Sequence, residues 1–126
     1  MQRRAEGDSA PSALGEKHAL GLTNDGKVYS WGGNEKGQLG NGNSGLYSLT
    51  GSPTLITSNV ILSSGVNNTS FISYTLKSIS ASGEVSFAID QNGKMFSWGD
   101  NILGSLGTGD NSAKKVPNEI LTPDNS

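Results

Sequence analysis

Cysteine is absent from these 126 residues, and histidine occurs once, at His18. Without thiols there is no disulfide and no thiolate metal site. With a single imidazole there is no histidine ligand set, and no carboxylate stands at a suitable spacing to orient it as a base. Charge is sparse, 16% of residues, and sums to only −2. Arg3-Arg4 and Lys114-Lys115 are pairs and not stripes, so they read as solvated surface charge, and direct nucleic-acid binding is not expected. No apolar run approaches the ~18 residues of a membrane-spanning helix. The segment 1–12 lacks the apolar middle of a secretory signal; its Arg, Gly, Ser and Pro content reads as a disordered lead-in, and the expected location is intracellular. Hydrophobic residues make up only 33% of the chain, so any core is thin.

Glycine, by contrast, is abundant: 18 residues, about twice the usual share of roughly 7%. The glycines fall in a pattern. HALGLTNDGKVYSWGGNEKGQLGNG, from His18 to Gly42, lies over VSFAIDQNGKMFSWGDNILGSLGTG, from Val85 to Gly109, at an offset of 67 residues. That offset carries Gly26 to Gly93, Trp31 to Trp98, Gly32 to Gly99, Asn34 to Asn101, Gly37 to Gly104, Leu39 to Leu106 and Gly40 to Gly107. A unit repeated at fixed spacing ordinarily stacks on a neighbour to bury its apolar face. Within each unit, alternating apolar residues (Leu20, Leu22; Phe87, Ile89) precede an Asn-Asp-Gly or Asn-Gly turn. A second extended run follows, ending in tryptophan. This is the grammar of a tight β-hairpin. The glycine-rich run after each tryptophan serves turns and close strand approach, with Leu39 and Leu106 plugging the gap beneath.

The order G-x-x-H, D-G or N-G turn, S-W-G, x-N, G-x-L-G-x-G and P-x-x-I resembles the regulator of chromosome condensation repeat. Gly15 to His18, Thr23 to Gly32 and Asn34 to Gly42 carry the likeness in the first unit. The second departs from it at Ser82, Val85 and Ser105, which stand where the first has Gly15, His18 and Gln38. The resemblance implies an all-β fold, a partial β-propeller of two antiparallel blades, open unless completed by more repeats or other copies; relatives usually close a ring of seven. It implies that His18 bonds the backbone of an adjoining strand, and that Trp31 and Trp98 pack between blades. The W-R-W-G-W cluster with which some relatives sense ultraviolet light is missing. Two blades with open faces are marginal on their own, so a fragment or truncated relative is expected, with self-association through the open faces as another outcome.

The offset of 67 exceeds a family repeat of about 50, and the excess lies in the middle. The organisation expected is a first unit over 13–56, an insertion over 57–78, a second unit over 79–121 and a polar tail over 122–126. Pro53 to Ile56 and Val116 to Ile120 resemble outer strands, and Ile79 to Gly83 an innermost one. Val60-Ile61-Leu62 and Ser70 to Leu76 are β-prone runs flanking a turn, an extra hairpin projecting from the rim. Its tip, Ser63, Ser64, Gly65, Val66, Asn67 and Asn68, is the candidate partner-binding insertion, because loops carry specificity on a fixed scaffold. The overlapping glycosylation patterns at Asn67 to Ser70 read as coincidence without a secretion signal.

Chemistry is sought without success. Gly37-x-x-Gly40-x-Gly42 lacks the Lys-Ser/Thr and helix of a phosphate loop, and Asp90-x-Asn92-Gly93 lacks the span and terminal glutamate of a calcium loop. The expectation is a protein-binding module with no cofactor, no metal, no membrane contact and no catalysis of its own. The alternative is a guanine-nucleotide exchange factor, or part of one, for a small GTPase of the Ran type, acting by a wedge at residues 63–68.

Overall fold

The computed structural model of the chain describes residues 12–15, 17–45, 50–100 and 113–120. Two four-stranded antiparallel meanders account for most of them. The first runs β1 (Ser12–Leu14), β2 (His18–Leu22), β3 (Val28–Gly32) and β4 (Thr50–Leu55), in that spatial order. A short pair, β5 (Asn59–Val60) and β6 (Thr69–Ser70), intervenes. The second meander runs β7 (Leu76–Ser82), β8 (Val85–Asp90), β9 (Met95–Gly99) and β10 (Lys114–Ile120), again in chain order. No α-helix occurs among the described residues. The molecule is an open two-bladed segment of a β-propeller, its blades standing face to face.

Turn chemistry sets the hairpins. Gly26 and Gly93 both sit at positive φ, +85° and +88°, where residues with a Cβ are strained. The residue entering each turn pins it with a side-chain oxygen. Asp90 Oδ1 accepts from the backbone N–H of Asn92 and Lys94 at 2.9 and 2.8 Å. Its counterpart Thr23 accepts from Lys27 N–H through Oγ1 at 2.9 Å and donates to Asp25 Oδ1. Different side chains thus do the same job.

The period of two sorts each strand into faces. Leu20, Leu22 and Val28 of the first sheet turn toward Ala88, Phe96 and Trp98 of the second, and all six are buried in one core cluster. The residues between the sheets complete it. Ile56, Val60 and Phe71 are each about 1% exposed or less, and Phe71 meets Phe96 and Trp98 edge-on at centroid distances of 5.4 and 5.5 Å. Such T-shaped contacts add about 0.5–1.5 kcal/mol each beyond area burial.

Three expectations change here. The middle segment does not stand off the rim: its hydrophobic residues plug the seam, and Ile61 exchanges backbone bonds with β10, donating to Pro117 O at 2.9 Å and accepting from Glu119 N–H at 2.8 Å. The run Ser70 to Leu76 is no continuous strand, because Ser70 Oγ caps a single 3-10 turn, Phe71–Ser73, that rolls Phe71 inward. The innermost strand of the second blade starts at Leu76 and not Ile79, since Leu76 pairs with Asp90 and donates its N–H to Gly26 O across the seam; likewise β1 takes in Ser12.

Candidate interaction surfaces

The seam carries a buried polar relay. His18 Nε2 lies 2.8 Å from Ser86 Oγ on β8, Ser86 donates to the Gln38 carbonyl at 2.8 Å, and Trp98 Nε1–H donates to the same carbonyl at 2.8 Å. A serine that gives its one proton to Gln38 accepts from the imidazole, so the neutral ring carries its proton on Nε2. Nδ1 is left as a bare lone pair with no hydrogen bond, on the side of the Gly83 carbonyl. Burial disfavours a second proton and lowers the His18 pKa to about 4, only partly offset by that carbonyl. The imidazole therefore bonds a side chain of the second sheet through Nε2 and lies beside the Gly83 backbone carbonyl. The neutral, buried imidazole ties the two blades together.

Glycines shape this seam. A Cβ on Gly40, at φ +71°, would stand 2.8 Å from Trp98 Nε1, and one on Gly37 would stand 2.6 Å from Lys115 Cα. Gly15 leaves room for the His18 ring itself. Gly32 and Gly99, both at positive φ, pass close to the preceding hairpin's backbone. Asn34 organises the loop between: its Oδ1 accepts from Leu39 N–H at 3.0 Å, and its Nδ2 donates to Asn43 O and Asn41 Oδ1 at 3.0 and 3.2 Å. Leu39 is fully buried beneath. Asn101, Gly104, Leu106 and Gly107 lie outside the described residues.

The tip Ser63 to Asn68 is exposed throughout, Val66 43% so. It is anchored at its base: Ser63 N–H donates to Glu119 Oε1 at 2.9 Å, and Lys94 Nζ holds the other oxygen at 2.7 Å. Burial works against the Glu119 charge, but these bonds win and lower its pKa, while the bond to Glu119 raises that of Lys94. A second surface is apolar. Trp31, equivalent in sequence to the buried Trp98, lies half-buried on the outward face of the first sheet, because no sheet stands on that side among the described residues. Trp98 packs between the two blades, and Trp31 faces away from the second one. The outward face of the second sheet presents Phe87, Ile89 and Met95, lining a shallow depression of about 220 Å³ with Ser78 and Ser80.

The sequence matches the regulator of chromosome condensation (RCC1) repeat twice, over residues 13–38 and 92–126. The chain belongs to the RCC1 repeat family. It is 30% identical to the ultraviolet-B receptor UVR8 of Arabidopsis thaliana over 87% of its length, and 33% identical to the mouse (Mus musculus) X-linked retinitis pigmentosa GTPase regulator over 86%. It spans only 22% and 10% of those two relatives. Among solved structures, Prp20p from Saccharomyces cerevisiae, described with its binding properties to Gsp1p and histones, superposes with a TM-score of 0.71 at 25% identity. That match covers 94% of this chain and 27% of Prp20p. In RCC1 terms the two meanders are consecutive blades, and 57–75 is the linking segment.

The relay partners Ser86 and Gln38 were not singled out from the sequence, although Ser82 and Val85 gave a signal. The glycine at position 15 and the histidine at 18 are present together in the first unit and absent together from the second. Phe71 and the Lys94–Glu119 pair left no periodic trace.

Proposed function

We propose that this RCC1-repeat chain is a non-catalytic protein-binding module whose partner contacts the tip Ser63 to Asn68. The observation that carries the reading is the anchoring of that tip. Six consecutive exposed residues are held at one end by the Glu119 carboxylate and at the other by Asn59 Nδ2, which donates to Asn67 O at 2.8 Å. A surface fixed before encounter loses less ordering entropy on binding. The fold is generally a binding or exchange-factor scaffold.

A second reading, nucleotide exchange on a small GTPase of the Ran type, draws on the likeness to Prp20p and to a GTPase regulator. Exchange requires only differential binding to two states of the GTPase, not bond-making, and the wedge would be the same tip. One experiment separates the two. The chain is titrated into a Ran-type GTPase loaded with fluorescent nucleotide, and separately into histones, with wild-type and with 63–68 replaced by Gly-Ser. Binding that the replacement abolishes, without faster nucleotide release, supports the module; accelerated release that needs the tip supports exchange. Binding to neither protein, or binding indifferent to the replacement, contradicts the assignment of the tip.

A further inference from the structure

The seam between the two blades has a counterpart on the two outward faces, which no other sheet covers among the described residues. Each pair that meets in the seam is carried by the 67-residue offset onto one residue of each outward face. His18 and Ser86, in contact at 2.8 Å, map to Val85 and Ala19. Leu20 and Ala88, both in the core cluster, map to Phe87 and Gly21. Phe96 and Trp98, which fill the seam from the second sheet, map to Tyr29 and Trp31, half-buried on the outward face of the first.

We propose that the outward face of the first blade docks onto the outward face of the second blade of another copy of this chain, so that copies stack head to tail as the two blades stack within one. The inference rests on reading the chain as a protein-binding module, and adds a second copy as partner on a surface separate from the tip.

Three observations support a second copy over a chemically unrelated partner. The polar pair changes as a pair: where the inner seam has imidazole facing hydroxyl, the outer faces offer Val85 and Ala19, so neither side would bury an orphaned donor. Size is exchanged in the same way, with phenylalanine for leucine on one side and glycine for alanine on the other. Finally, none of Ala19, Gly21, Tyr29, Trp31, Val85, Phe87, Ile89 and Met95 is charged, and the depression lined by Phe87, Ile89 and Met95, with Ser78 and Ser80 beside them, lies where Leu20, Leu22 and Val28 receive the aromatic rings of the second sheet in the inner seam. Each face is unlike itself and complementary to the other, so the contact is heterologous and propagates to rings or filaments instead of stopping at a symmetric dimer.

Sedimentation velocity across a concentration series tests this on the 126-residue chain. Wild-type mass should climb past the dimer. Trp31→Glu and Phe87→Glu each place a charge in the contact and should weaken association at least about a hundredfold. Mixed in equal amounts, the two variants still share one good junction and should form a one-to-one heterodimer that grows no further. Circular dichroism and the emission of Trp98 report that each variant is folded. A milder set guards against misfolding: in a Ser82→Gly background, which leaves room for a ring at 85 as Gly15 does at 18, Val85→His should weaken association about tenfold, as its imidazole faces Ala19 with no acceptor, and adding Ala19→Ser should restore it. A monomer at every concentration, a dimer indifferent to both glutamates, an inert mixture, or no restoration by the serine overturns the proposal. A monomer that still binds a partner through 63–68 would sink this inference alone.

Discussion

Trp98 and Trp31 occupy the same place in two copies of one repeat, and their surroundings could hardly differ more. Trp98 is fully buried, its indole N–H bonded to Gln38 O, its ring against Phe71 and under Gly40. Trp31 lies half-buried on an outward face. The strand, the turn before it and the glycine after it are alike; only the neighbouring sheet differs. Stability in such a repeat resides in the seam between units more than in the unit, as nearest-neighbour models of repeat proteins hold.

The sharpest break of the comparison is truncation. Trp98→Ala should cost about 3–5 kcal/mol and Trp31→Ala less than about 1 kcal/mol, each measured by urea unfolding at concentrations where the chain is monomeric. Similar costs would show that the seam is not what distinguishes the two sites.

Next in size is a pH effect confined to the first copy. The His18 pKa is lowered from 6.5 to about 4, so the unfolded chain takes up a proton the folded chain refuses. Stability from this group is whole above pH 6.5 and drains as pH falls toward 4, by about 3 kcal/mol in all. His18→Val, the residue of the second copy, should flatten that part of the profile in urea melts. A profile unchanged by the substitution would place the imidazole elsewhere.

Glycines refine the contrast further. Gly40→Ala meets both a positive φ and the Trp98 ring, and should cost about 2 kcal/mol or more; Gly42→Ala meets a positive φ of +89° with open space around it, and should cost about 1 kcal/mol. Equal losses would mean that the loop does not press on Trp98. Smallest is Glu119→Ala, which frees the Lys94 ammonium and the Ser63 N–H at the tip's base. A partly exposed pair is worth below about 1 kcal/mol, so the readout is faster amide exchange at residues 61–70, with little change in the unfolding midpoint.

Much of this architecture was legible in the residues. Alternation around Asn24-Asp25-Gly26 and Asn92-Gly93 dictates the hairpins, and the 67-residue offset dictates two stacked units. The joint absence of Gly15 and His18 from the second copy has a physical reason that only coordinates reveal: a Cβ at 15 would collide with the imidazole as well as with the Gly83 carbonyl, and with Val85 in place of histidine the first of these collisions has no counterpart at Ser82. The middle segment was legible as a hairpin but not in its packing. It has no counterpart in the repeat, so nothing in its pattern marks Val60 and Phe71 as plugs for a seam built by other strands. Nor could the sequence tell Trp31 from Trp98, because the difference is made by a neighbour and not by the unit.

Acrylamide quenching of the two single-tryptophan variants, Trp31→Phe and Trp98→Phe, measured on dilute monomer, tests the central claim most directly. Trp98 alone should emit toward the blue and resist quenching, while Trp31 alone should emit toward the red and be quenched readily. Equal quenching of the two, or the reverse order, would contradict the account of the seam.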